Sequence, residues 1–297
     1  MLCLTIFSAV WVAAVMTGVE GHGFVHSVVM NGQEYPGWNP FSDPYTTAPP
    51  KTVRKVLNDG FVSATDPDLP CHHLGNEGTA LVADATAGSQ VTFRWSYWPA
   101  DHQGPVSTYM ASCNGDCTTF LASNARWFKL DAAGYDPSTR QWAADQLRAN
   151  DNSWVSTIPA GIAPGQYLMR NEIVALHSIT PQFYPSCSQV KVSGSGNGQP
   201  SESDLVSIPG LYSNVTWPNI YSDFGTFQIP GPPPVTFGVG GNPPSITTTT
   251  TTSALSTPTA GPTQVSNMSM TTSPVPSSQA SGHCLLNSRR LVRRTSK

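Results

Sequence analysis

The chain has 297 residues, only 11% of them charged, and a formal net charge of −3. That length admits one large domain or two small ones. The acidic excess, 18 Asp and Glu against 15 Lys and Arg, leaves no basic footprint for nucleic acid.

Residues 1–21 read as a signal peptide. Positions 1–15 are apolar almost throughout, too short to span a bilayer comfortably, and small residues follow, with Val19 and Gly21 at −3 and −1 of a cleavage point. The only positive charge ahead of them is the amino terminus. Cleavage there makes the protein secreted and opens the mature chain at His22. No later segment is apolar enough to cross a membrane.

From 22 to about 240 the pattern is β-rich. Tyr35 and Trp38 fall in the loop after a first strand. Residues 91–98 alternate with period two, with aromatics at Phe93, Trp95 and Tyr97. Residues 138–149 look helical. Residues 166–177 predict a long strand with Tyr167, Met169, Asn171, Ile173, Ala175 and His177 on one face, and 189–192 a shorter one. The intervening stretches are rich in Gly, Pro, Asn and Asp, which means turns and long loops. Cys71, Cys113, Cys117 and Cys187 lie in this body, while Cys3 leaves with the signal and Cys284 is in the tail. The four admit three pairings. The turn sequence between Cys113 and Cys117 makes a local bridge easy, leaving Cys71 with Cys187. These features predict an all-β fold: an immunoglobulin/fibronectin-like antiparallel β-sandwich with long loops and a short helix.

Beyond it, residues 241–281 are rich in Ser, Thr and Pro, a composition that cannot bury enough apolar surface to order itself. Residues 282–297 form a basic tail with five of the chain's 15 Lys and Arg residues and no aromatic. Asn214 and Asn267 each open an N-glycosylation acceptor sequence.

The chemistry centres on histidine. A mature terminus at His22 offers an α-amine and an imidazole Nδ1 that can chelate one metal ion, and one further histidine would complete a T-shaped set of three nitrogens. Tetragonal nitrogen ligation suits copper(II). His102 follows a predicted strand and precedes a sharp turn. Tyr184, three residues before Cys187, could stand at a weak axial position. His72 and His73 have no evident third ligand; His26 lies on a strand about 13 Å from His22.

Several pieces, in order, resemble auxiliary activity family 9, the lytic polysaccharide monooxygenases formerly filed as glycoside hydrolase family 61. They are His22-Gly-Phe-Val25, His102-Gln-Gly-Pro-Val-Ser-Thr-Tyr-Met-Ala111, Trp142-Ala-Ala-Asp-Gln-Leu147, Arg170-Asn-Glu-Ile-Val-Ala-Leu-His177, Gln182-Phe-Tyr-Pro-Ser-Cys187 and Ile229-Pro-Gly-Pro232. The resemblance implies one copper ion per chain, held by the His22 amine and Nδ1 and by His102 Nε2, with Tyr184 axial. It also implies that His177 and Gln182 hydrogen-bond the reacting oxygen. The implied reaction is oxidation of β-1,4-glucan (cellulose) at carbon 1 and/or carbon 4, with oxygen or hydrogen peroxide and an external electron donor, by a monomer.

Tyr212 resembles a position that stacks on sugar rings, with Tyr35 and Trp38 as further candidates for that face. The segment between His177 and Gln182 is shorter than in many relatives, and no cysteine-rich cellulose-binding module follows the linker. Two other functions fit the sequence less well. A glycosidase needs two carboxylates across a cleft, and no acidic motif stands out. A non-catalytic copper or carbohydrate binder has no use for His177, Gln182 and Tyr184 around the ligands.

Overall fold

A computed structural model describes residues 22–238. The expected signal peptide, the linker from 241, Asn267 and the basic tail lie outside those residues.

Two sheets face each other. The first has four strands: β1 (Val25–Met30), β2 (Gln33–Pro36), β4 (Gln90–Trp95) and β9 (Ser153–Thr157), in the order β2-β1-β4-β9. The second has five: β3 (Ala83–Thr86), β5 (Val106–Ser112), β6 (Phe128–Ala133), β10 (Gly165–Ala175) and β11 (Gln182–Ser193), in the order β3-β11-β10-β5-β6. Among the strand pairings of the described residues only β3–β11 is parallel. The minor hairpin β7 (Tyr135–Asp136) and β8 (Gln141–Trp142) leads into helix α1 (Ala143–Ala149). The expected β-sandwich with one short helix is therefore what the chain forms. The helix is shorter than expected because the hairpin occupies its first residues.

Period-two alternation along β10 explains the layering. Tyr167, Met169, Ile173 and Ala175 point into the core between the sheets, with Val28, Phe93, Trp95 and Met110. Asn171, on the same face, accepts a hydrogen bond from Trp95 Nε1 at 2.9 Å and so ties the sheets together. Leu168 and Val174 point the other way, into a second cluster with Trp127, Phe183 and the long loops. That sheet is thus covered on both faces, which is why Arg170 and Glu172, on the loop side, are fully buried and paired with each other. Arg170 also donates to the carbonyls of Pro70 and Leu69.

Both anticipated disulfides are present, Cys71–Cys187 and Cys113–Cys117. Beside the first, the buried Arg54 donates to the carbonyls of Gly75, Asn76, Cys117 and Phe120 and to Gln189 Oε1, fastening three loops to β11. Burial pulls the Arg54 guanidinium down to about 10.

Candidate metal centre

The candidate residues gather at one end of the sandwich, and strand register puts them there. In the β5–β10 ladder Val106 faces Ile173. The pairing runs on past the strand ends, with Val174 N–H donating to Pro105 O and Leu176 N–H to Gln103 O. One further step sets His102 opposite His177, and their rings stack with centres 3.8 Å apart. His177 therefore lies just beyond β10 rather than within it. Gly104 permits the approach: a Cβ there would sit 1.8 Å from Val174 O.

His22 arrives from the first sheet, three residues ahead of β1. Phe24 O accepts from Ser96 N–H and Phe24 N–H donates to Ser96 Oγ, so the terminal stretch lies along the end of β4. Its ring centre is 5.3 Å from that of His102, nearly perpendicular, and 5.8 Å from that of Tyr184. Tyr184 comes from β11, is buried, and meets Trp98 edge-on at 4.9 Å. Its hydroxyl donates to Gln182 Oε1 at 2.7 Å. The structure thus brings together His22, His102, His177, Gln182 and Tyr184 from segments up to 162 positions apart.

The donors are in the right state for a metal. His102 Nδ1 hydrogen-bonds Asp101 at 2.9 Å, and that bond holds the Asp101 carboxyl below the usual carboxylate range. An ionised Asp101 makes Nδ1 the protonated nitrogen and leaves the Nε2 lone pair free. Nε2 is buried and has no hydrogen-bond partner among the described residues, which is costly unless something else binds it. Burial, then the neighbouring His102, lowers His22 below 6.5, favouring the neutral, ligating imidazole. The same two causes lower His177. Burial, then the charges of Asp59 and Asp101, raises the Tyr184 phenol, which stays protonated. Nitrogen and neutral oxygen donors with no thiolate fit copper.

The sugar-stacking assignment of Tyr212 is corrected. It is only 5% exposed, lies against Phe183 and Trp217, and donates its hydroxyl to the buried Glu172. A ring so enclosed cannot reach a polysaccharide. One outward aromatic beside the cluster is Tyr221, 74% exposed, whose hydroxyl donates to His177 O at 3.1 Å. Its signal in the sequence was a lone aromatic in the Pro218-Asn-Ile-Tyr221 turn, and no periodicity marks it. Tyr35 is half-buried on β2 against the core. Trp38 is half-buried under Lys55, which lies 5.2 Å from its ring centre. Neither touches the histidine cluster. His26 is exposed on β1, away from it. His73 does have neighbours the sequence left unseen: Asp66 and Asp68 lie beside it, with Nδ1 3.0 Å from Asp68. Asn214 is exposed, as a glycosylation acceptor must be.

Comparison with known proteins points to one family. The signature of Auxiliary Activity family 9 (formerly GH61) matches residues 22–229. An AA9 family lytic polysaccharide monooxygenase B of Gloeophyllum trabeum is 41% identical over 238 residues, covering 74% of this chain and 94% of that protein. Among solved structures, the extended catalytic domain of LPMO9A from H. jecorina superposes with a TM-score of 0.67 at 35% identity, covering 75% of this chain and 94% of that one. A cellulose-active polysaccharide monooxygenase from M. thermophila does so with a TM-score of 0.65 at 36% identity, covering 72% and 99%.

Proposed function

The chain belongs to Auxiliary Activity family 9, the copper-dependent lytic polysaccharide monooxygenases, and from that premise we propose that it cleaves β-1,4-glucan, cellulose included, at carbon 1 and/or carbon 4, with oxygen or hydrogen peroxide and an external reductant. One observation carries the reading. His22, His102 and Tyr184 converge where His102 Nε2 is buried, unpartnered and held in its ligating tautomer.

One copper ion would be held by His22 Nδ1, by the His22 amine once residues 1–21 are removed, and by His102 Nε2, with Tyr184 alongside. What copper supplies when bound is redox chemistry that no amino-acid side chain offers. The rest belongs to the chain. Asp101 fixes the His102 ring by its hydrogen bond. Tyr184 remains a neutral phenol, a weak oxygen donor beside the two imidazoles. Gln182 uses its carbonyl oxygen to accept the Tyr184 O–H, so its amide N–H groups are left to donate to an incoming reactant. His177 is neutral and stacked on His102, placed to donate one hydrogen bond and to move a proton. The exposed ring of Tyr221 offers a flat face to a pyranose. The cellulose-active relative from M. thermophila supports the substrate class. A protein beginning at His22 acts outside the cell.

Electron paramagnetic resonance tests the ligand set. Copper-loaded protein with an authentic His22 terminus should give an axial signal, and one extra residue ahead of His22 should change it markedly. Identical spectra would remove the amine from the site. With cellulose and a reductant, mass spectrometry should then find oxidised oligosaccharides, absent when the reductant is left out.

A further inference from the structure

Beside the metal centre, residues 176–181 and 217–221 face each other, joined by the hydrogen bond from Tyr221 to His177 O. Between them is a cavity of about 300 Å³, at the small end of ligand pockets and suited to one ring rather than a chain. Its lining includes His177, the ring stacked on His102, so it opens beside the ligand cluster. Ile179 and Tyr221 stand at its edge, both strongly exposed.

The lining specifies the occupant. Trp217, Pro218 and Pro181 give apolar walls that match the C–H faces of a sugar ring. Asn219 Oδ1 accepts the Tyr221 backbone N–H, which leaves the amide N–H groups as donors to a ligand. Ser178 gives its hydroxyl proton to Thr180 O, which leaves its oxygen as an acceptor. A donor and an acceptor together suit hydroxyl groups. Among the described residues no Asp, Glu, Lys or Arg lines the cavity, so a charged ligand would lose hydration without a counter-charge, and a neutral one is favoured.

We propose that this cavity takes a neutral single-sugar branch of a β-1,4-glucan whose backbone lies across the metal centre, so that the protein favours branched chains over bare ones. The proposal rests on the glucan reading above and extends it to the decoration of the chain.

Calorimetric titration of the full chain from His22 tests it, with a xylose-branched β-1,4-glucan oligosaccharide and an unbranched one of equal backbone length. The branched probe should bind about 5-fold more tightly, as one or two added hydrogen bonds imply. Asn219→Asp keeps the oxygen that holds the turn but removes the N–H donors, and Ile179→Trp obstructs the mouth from a fully exposed position. Both should abolish the preference and leave affinity for the unbranched probe unchanged. Equal affinities in the parent protein, or a preference that survives both substitutions, would overturn the branch site while sparing the glucan reading. Failure of both probes to bind would overturn the glucan reading as well. A phenol that saturates the cavity without competing with the branched sugar would assign it to an aromatic ligand instead.

Discussion

His177 and Asp101 both touch His102, and their expected effects separate. His177 stacks on the ring but is not among the proposed ligands, so His177→Ala should leave copper affinity within about 2-fold and cut turnover by roughly 10²-fold or more, the usual worth of a positioned proton donor. Copper calorimetry beside product analysis reads both; undiminished turnover would end its assignment. Asp101 holds the tautomer, so Asp101→Ala should weaken copper binding by about 10-fold, as loss of a hydrogen bond to a ligating imidazole commonly does. Isothermal titration at two pH values would show it. The sequence offers His22, His102, His177, Gln182 and Tyr184 as candidates, because each sits in a local motif, and the fold sets them side by side. Sequence alone misreads Tyr212, which packs on Phe183, 29 positions earlier, and hydrogen-bonds Glu172, 40 positions earlier, contacts that no short-range pattern carries.

At the scale of the elements, the sequence predicts only 189–192 of the 12-residue β11. Pro185, in the remainder, would normally argue against a central strand. In the ladder, Phe183 N–H and Gln189 N–H donate away from β10, to Val62 O and Thr52 O. By alternation Pro185 shares that side, where no strand of the sheet pairs with it: β3 begins only at Val190. The absent N–H therefore costs the sheet nothing. Gly104 is the opposite case, a position where the backbone tolerates no addition. Gly104→Ala would drive a Cβ into Val174 O, with about 2–3 kcal/mol of destabilisation expected from overpacking. Because the same stretch carries His102, copper affinity should fall too. Denaturant unfolding and copper titration would check it; a neutral substitution would mean that the loop has slack.

For the whole molecule, proton binding sets an expected pH response. His22, His72 and His177 are all lowered from 6.5, burial being the largest cause in each. Between the lowered values and 6.5 the unfolded chain binds more protons than the folded one, so stability rises with pH across that interval. Metal-free protein should therefore melt at a lower temperature at pH 5.5 than at pH 7.5, and His72→Gln should lessen the difference. A melting temperature that does not change over that range would refute it.

The meeting of His102 with His177 is measured by one hydrogen-bonded ladder, as by a ruler laid between two marks. Everything between the end of β5 at Ser112 and the start of β10 at Gly165 is an excursion that leaves the ladder and returns to it. Its length does not enter the distance between the two rings. The loops of that stretch, outside β6, β9 and α1, are where this architecture can absorb insertions or altered surfaces while its chemistry stays in register, whereas one residue gained inside β5 or β10 would turn an imidazole to the wrong side of the sheet.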